Sequence, residues 1–109
     1  MTYQPLTSHR AVILAWPGRS FAVGEGLARL VKATRSLPGC LSIAANRAPN
    51  NVREWHLSLC WGDERAMGEW LAGPAAELLA ELVARRLVMQ MDFQPGRTVA
   101  PEASLRRAG

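Results

Sequence analysis

Residues 53–61, REWHLSLCW, alternate strictly between two kinds of side chain, which is the pattern of a β-strand. One face of this strand would carry large apolar groups, and the other would carry small or weakly polar groups. The two sets are Trp55, Leu57, Leu59 and Trp61 on the first face, and Glu54, His56, Ser58 and Cys60 on the second. A strand face in water is usually polar and charged. We therefore expect the second face to lie against another protein surface.

The first half of the chain shows a strand pattern and then a helical pattern. Residues 9–16 are almost uniformly apolar, which is typical of a central strand covered on both faces. Ser20 is the expected N-cap of a helix that ends at Pro38-Gly39. Gly24 and Gly26 weaken this helix, and we expect another element to pack closely there. The apolar stripe of the helix would consist of Val23, Leu27, Leu30, Val31 and Thr34.

The second half repeats the order of strand, helix and strand. Residues 39–47 alternate and connect to the strand described above through turn residues 48–52, which predicts a hairpin. Asp63 is expected to cap a helical region that Gly73-Pro74 breaks and restarts. Residues 86–93 alternate again and would form the last strand.

The order βαββαβ predicts an α+β, ferredoxin-like subunit. Right-handed crossovers place both helices on one face of a four-stranded antiparallel sheet. The pattern contains no second sheet to cover the other face, so we expect a second copy of the protein to cover it in a homodimeric α/β barrel. The sheet residues expected to meet the helices are Leu41, Ile43, Trp55, Leu57, Leu59, Trp61, Met89, Met91 and Phe93.

The hairpin loop also predicts which residues lie opposite each other. A loop at 48–52 makes the numbers of opposite residues sum to about 100, which places Cys40 opposite Cys60. The same register places Arg47 opposite Arg53, an unfavourable pair of like charges. Sums of 98 or 102 preserve both faces and stay open. We predict two free thiols with Cα atoms about 4.5–5.5 Å apart, because directly opposed cysteines form a disulfide only with strain.

Composition narrows the functional classes. The 109 residues suit one domain, which we place at residues 1–94, followed by a C-terminal tail or arm at 95–109. The net charge of +4 comes almost wholly from dispersed arginines, without the clustered basic face typical of nucleic-acid binding. No segment has the length needed to cross a bilayer and no signal peptide is evident, so we expect a cytoplasmic protein. Two cysteines and two distant histidines lack metal-ligand spacing, so no metal site is expected.

Two short motifs resemble the antibiotic biosynthesis monooxygenase (ABM) family. They are LPGCLS at 37–42 and LCWGDERA at 59–66, each adjoining a predicted helix. The resemblance spans about residues 9–94 and implies a dimeric α/β barrel with a pocket in each subunit, between the sheet and its helices. Members that are enzymes oxygenate aromatic polyketides or quinols with dioxygen and no cofactor. Other members degrade haem through an axial histidine in the second helical region, but residues 63–87 contain no histidine.

The resemblance implies candidate substrate-binding residues. Trp61 matches a strand-end tryptophan that often forms part of the pocket wall, although a plain core position explains it equally well. Trp70 stands where many members carry histidine, and Leu59 stands where they often have glutamate. The expected pocket is therefore apolar and poor in bases. The other candidates are Met67 and Phe93, together with Asn46 and Arg47, which lie near the pocket mouth or simply at a solvated strand end.

His56 is the only imidazole expected inside the fold, and it is the candidate catalytic residue. Its alternative role is that of a hydrogen-bonded interface histidine. The leading function is a cofactor-independent monooxygenase acting on a small aromatic or quinol-like substrate. A non-catalytic dimeric module that binds a small hydrophobic ligand is the competing class, and an isomerase or decarboxylase is the third. An ionisable side chain that points into the cavity beside Trp61 would favour an enzyme, whereas a purely apolar lining would favour binding.

Overall fold

The computed structural model describes residues 6–94 and 98–99 and shows the expected order of strands and helices. The elements are β1 (Leu6–Ala15), α1 (Ser20–Arg35), β2 (Cys40–Arg47), β3 (Glu54–Trp61), α2 (Glu64–Trp70), a π-helical turn (Leu71–Ala75), α3 (Ala76–Ala84), β4 (Val88–Gln94) and β5 (Thr98–Val99). The sheet order is β2-β3-β1-β4, every pair is antiparallel, and β5 pairs with the start of β1. This confirms the ferredoxin-like α+β subunit. Apart from Thr98 and Val99, the predicted tail lies outside the described residues.

One face of the sheet, called here the inner face, packs against the helices and forms the core. It carries the odd-numbered residues of β1 and β3, because side chains alternate along a strand. Burying one large apolar side chain stabilises the fold by about 1.5–3 kcal/mol. The buried apolar residues are Ala11, Ile13, Ala15, Ile43, Leu57, Leu59 and Trp61 from the sheet, Val23, Leu27, Leu30, Trp70 and Leu82 from the helices, and Leu87 just before β4.

The hairpin of β2 and β3 has the register in which opposite residues sum to 102. Ile43 lies opposite Leu59, and Arg47 lies opposite Trp55, so the unfavourable arginine pair does not form. The predicted pairing of the two cysteines is wrong, since Cys60 lies opposite Ser42 and Cys40 opposite Trp61. Both thiols are free.

Two β-bulges explain why two residues expected in the core are exposed. In β2 the register shifts between Cys40 and Ser42, and in the pairing of β1 with β4 it shifts beside Ala15. The extra residues at these shifts are Leu41 and Met89, which are 56% and 47% exposed. A bulge removes its extra residue from the alternation, so counting by twos misplaces that side chain.

The helix ends differ from expectation at two places. Asp63 caps α2 as predicted, and its carboxylate accepts a hydrogen bond from the Arg65 N–H at 2.9 Å. Ser20 does not cap α1; its hydroxyl donates to the Val52 carbonyl instead. Gly73 and Pro74 do not break the second helical region, because the chain continues through the π-helical turn. A wider turn of this kind accommodates a proline that has no N–H to donate.

The glycines of α1 let the helix approach the sheet and its neighbouring helix closely. A Cβ on Gly24 would lie 2.6 Å from the Trp55 ring, and one on Gly26 would lie 3.3 Å from the Leu78 and Leu82 side chains. The close packing expected at these two positions is confirmed. Gly24 therefore sets the distance between α1 and β3.

The other face of the sheet, called here the open face, carries the even-numbered residues of β1 and β3. Its apolar residues Val12 and Leu14 are only half-buried in the single chain, as are His56 and Cys60. Within the described residues, no helix combines the length and the apolar character that a membrane crossing requires.

Candidate functional site

An apolar cavity of about 240 Å³ lies between the inner face of the sheet and the second helical region. Leu57, Leu59 and Phe93 contribute the sheet side, and Leu27, Trp70 and Leu78 contribute the helix side. All of the side chains that line it are apolar. A cavity with such walls binds ligands through shape and loss of water contact rather than through charge.

The π-helical turn forms part of the cavity wall. Leu71 and Ala75 lie within this turn, and both line the cavity. The turn widens the backbone between α2 and α3, so these residues face the sheet without a helix break. π-Helical turns occur frequently at functional sites.

Two tryptophans pack against each other at one end of the cavity. Trp61 and Trp70 are both buried, with ring centroids 5.8 Å apart and an interplanar angle of 49°. Trp70 lines the cavity, and Trp61 lies behind it. The Trp70 indole N–H donates to the Thr34 hydroxyl at 2.8 Å, and the Trp61 indole N–H donates to His9 Nε2 at 2.9 Å. Neither indole N–H is therefore free to donate a hydrogen bond to a ligand.

His9 is the buried imidazole of the fold, with only 5% of its surface exposed. It lies on the inner face of β1, in the strand position opposite Leu59. Burial lowers its pKa from the ordinary value. The expectation that His56 is the only imidazole inside the fold is therefore wrong.

His9 has one ring nitrogen without a partner. Among the described residues, Nδ1 of His9 is the buried side-chain nitrogen or oxygen that makes no hydrogen bond. Leaving a buried donor unpaired costs about 1–3 kcal/mol. The ring meets Phe93 edge-on at 5.2 Å and Trp70 edge-on at 5.8 Å between centroids, and both of these aromatic residues line the cavity. The His9 ring, whose Nδ1 has no partner, thus contacts two aromatic residues of the cavity wall.

The structure brings some of the predicted substrate-binding residues together. Trp70 and Phe93 line the cavity, and Trp61 packs behind the Trp70 ring. Met67 packs against the core from α2 and does not line the cavity. Asn46 lies with Arg47 at the exposed end of β2, whereas Trp61 pairs with the start of that strand. These two polar residues are therefore at the far end of the hairpin from the tryptophan pair.

His56 lies on the open face, across the sheet from the cavity. Its Nε2 is 2.7 Å from the Glu54 carboxylate, and its neighbours across the strands are Val12 and Asn46. Sequence reasoning missed His9 because β1 is apolar on both faces, so alternation alone does not show which residues point inward. If the inward side of β1 had been known, alternation from buried Ala11 would have placed His9 on the inner face.

The comparison with protein families agrees with this architecture. The family model described as antibiotic biosynthesis monooxygenase matches residues 10–82. The chain therefore belongs to the ABM family.

Solved structures with the same fold come from several bacteria. A protein from Shewanella oneidensis superposes with a TM-score of 0.77 at 23% identity, covering 90% of this chain and 96% of that one. A Deinococcus radiodurans protein, provisionally named an antibiotic biosynthesis monooxygenase, gives a TM-score of 0.72 at 18% identity, covering 87% and 96%. Identities this low show a common fold alone. No curated protein matches the sequence.

Proposed function

We propose that this protein is a cofactor-independent monooxygenase that oxidises a small aromatic or quinol-like substrate with dioxygen. The observation that carries the proposal is the apolar cavity of about 240 Å³ with Trp70 and Phe93 in its wall, in a chain that matches the ABM family model. Flat aromatic ligands suit this site because aromatic side chains stack favourably on other rings.

The apolar lining suits a reaction in which the substrate itself supplies the electrons. A ring-activated CH₂ group and O₂ give a C=O group and one water, so carbon loses four electrons and the two oxygen atoms gain them. Removing water from around an enolate or phenolate raises its reactivity toward dioxygen. His56 lies across the sheet, so the proton that the substrate loses passes to water in this proposal.

The working unit in this proposal is a homodimer in the cytoplasm. Val12 and Leu14 are half-buried on the open face, opposite His56 and Glu54 of β3, and Ser58 further along β3 is small and uncharged. A second sheet packed there would bury about 800 Å² on each copy, the size of a standard interface. Sedimentation at micromolar concentration should give a dimer, and Val12→Arg should give a monomer. A monomeric wild-type protein would remove the dimer from the proposal.

A binding module without catalysis is the second candidate, favoured by the absence of any ionisable side chain among the residues that line the cavity. Oxygen consumption separates the two candidates. The assay measures oxygen uptake with anthrones, quinols and flavonols, and the product by mass spectrometry. The monooxygenase should consume one O₂ per substrate and add one oxygen atom. If compounds of these classes bind but none of the three classes causes oxygen uptake, the result would support the binding module and contradict the monooxygenase.

A cavity-filling variant tests whether the reaction takes place in this cavity. Ala75 lines the cavity, and Ala72 belongs to the same π-helical turn but is exposed and does not line it. Ala75→Leu should reduce uptake strongly by occupying ligand volume, whereas Ala72→Leu should leave it unchanged. Equal activity in the two variants would place the reaction elsewhere.

A further inference from the structure

We infer that the Nδ1–H group of His9 donates a hydrogen bond to a carbonyl or phenolate oxygen of the ligand at the tryptophan end of the cavity. This inference rests on the proposed function, because it concerns the same cavity, and it adds the polar group by which the ligand is recognised and oriented. The established contacts of His9 decide which ring nitrogen carries the proton.

The tautomer of His9 follows from its contact with Trp61. An indole N–H is a donor only, so Nε2 of His9 must present a lone pair to it at 2.9 Å. A neutral imidazole that accepts at Nε2 carries its proton on Nδ1. Protonating the His9 ring would add an N–H at Nε2 that faces the indole N–H of Trp61. His9 is therefore held as a neutral hydrogen-bond donor and does not act as a base.

Among the side chains that the structure describes around the cavity, His9 offers a hydrogen-bond donor that is not already used. The indole N–H of Trp70 is bonded to Thr34, and that of Trp61 is bonded to His9 itself. The residues that line the cavity present apolar side chains. In the part of the chain that the structure describes, Nδ1 of His9 is the buried side-chain polar atom without a protein partner.

Phe93 provides the route from the cavity to His9. Its ring contacts His9, lines the cavity, and is 38% exposed on β4, which is at the edge of the sheet. Because this ring is partly in solvent, it can turn aside without unpacking the buried core. In the proposed complex, the turned Phe93 ring leaves the space through which a ligand oxygen reaches Nδ1.

These features define the chemical class of the ligand. It has a flat, apolar ring system that fills the space beside Trp70, and one oxygen acceptor at the end that meets His9. A hydrocarbon of the same shape lacks the acceptor and leaves Nδ1 unpaired. Sites that hydrogen-bond a ligand group discriminate strongly against analogues without it, because the buried partner is left unsatisfied.

The test compares two probes that share a tricyclic frame, anthrone with its ketone and 9,10-dihydroanthracene without it. Affinities are measured under nitrogen by quenching of tryptophan fluorescence, so that no oxidation occurs. The wild-type protein should bind anthrone about tenfold more tightly, the value of one neutral hydrogen bond. His9→Phe should remove this preference and leave dihydroanthracene affinity unchanged. His9→Gln, which accepts from Trp61 and still donates an N–H, should keep much of the preference.

Three outcomes would overturn the inference: no anthrone preference in the wild-type protein, an equal loss of affinity for both probes in His9→Phe, or binding of neither probe. A second measurement needs no variant. Long-range ¹H–¹⁵N spectra of the wild-type protein at pH 7 should show His9 protonated at Nδ1 and bare at Nε2, and the opposite tautomer would also overturn it. Oxygen uptake is a separate readout, so anthrone preference without uptake would sink the monooxygenase proposal alone.

Discussion

The two tryptophans at opposite ends of β3 lie in hydrogen-bond networks that end differently. Trp55 donates to the Ser20 hydroxyl at 3.0 Å, and Ser20 donates in turn to the Val52 carbonyl, so every polar group in this network has a partner. Trp61 donates to His9, and His9 Nδ1 has none. Networks that are fully satisfied stabilise a fold, whereas an unsatisfied buried group costs stability. The closed network of Trp55, Ser20 and Val52 therefore stabilises the fold, and in the proposal above the open network of Trp61 and His9 marks the ligand site.

The largest expected effect comes from truncating the two tryptophans. Trp61 is fully buried, so Trp61→Ala should lower the free energy of unfolding by about 3–5 kcal/mol. Trp55 is only half-buried, and Trp55→Ala should cost less. Urea unfolding at one fixed protein concentration, followed by circular dichroism, measures both. A larger loss at Trp55 would contradict the assignment of Trp61 to the core.

A glycine substitution tests the closed network through packing. A Cβ on Gly24 would lie 2.6 Å from the Trp55 ring, so Gly24→Ala should destabilise the fold by about 1–3 kcal/mol. Gly68 lies in α2 with nothing near its Cβ position, so Gly68→Ala should be neutral or stabilising by less than about 1 kcal/mol. The same urea experiment compares them, with anthrone affinity unchanged in both. Equal stability of the two variants would show that α1 adjusts freely to Trp55.

Buried His9, in the open network with Trp61, should make the stability of the protein depend on pH. Burial lowers the pKa of His9 below 6.5, so the unfolded chain binds a proton there at a pH where the folded chain does not. The contribution of His9 to stability is complete above about pH 6.5 and is lost as the pH falls toward the folded pKa. The slope should reach up to about 1.4 kcal/mol per pH unit. His9→Gln should reduce the slope measured between pH 6.5 and 5, and an unchanged slope would contradict the burial of His9.

The smallest effect is expected from Ser20 in the closed network. Ser20→Ala removes the acceptor of the Trp55 N–H, which should cost about 1 kcal/mol of stability. Its distance from the cavity predicts no change in anthrone affinity, in contrast to His9→Phe. A weakened affinity in Ser20→Ala, measured by the same quenching assay, would show that the two ends of β3 are coupled.

Alternation along the strands was enough to predict the fold but not every side chain. It correctly placed Leu57, Leu59 and Trp61 on the inner face, because β3 has no bulge. It misplaced Leu41 and Met89, because a bulge adds a residue without leaving a mark in the hydrophobic pattern. The like-charge conflict between Arg47 and Arg53 was visible in the sequence and left sums of 98 and 102 open, and the structure has the sum of 102.

The candidate site was only partly accessible to sequence reasoning. Trp70 and Phe93 were among the candidates that accompanied the family resemblance, and both line the cavity. His9 was missed because alternation does not show which side of β1 faces inward, and because its contact with Trp61 joins residues 52 positions apart in the chain. Asn46 and Arg47 lie at the exposed end of β2, at the other end of the hairpin from the tryptophan pair, which agrees with the solvated strand end that was the alternative to the pocket mouth. Long-range contacts of this kind depend on the register and direction of strands rather than on local sequence.

The role of His9 as a ligand donor is tested most directly by a crystal structure of the protein with anthrone bound under nitrogen. In this complex the tricyclic frame should lie in the cavity against Trp70, with Phe93 turned aside. The ketone oxygen should lie about 2.7–3.2 Å from His9 Nδ1, the range of an N–H···O hydrogen bond. Anthrone bound with its ketone directed away from His9, or bound outside the cavity, would contradict the account.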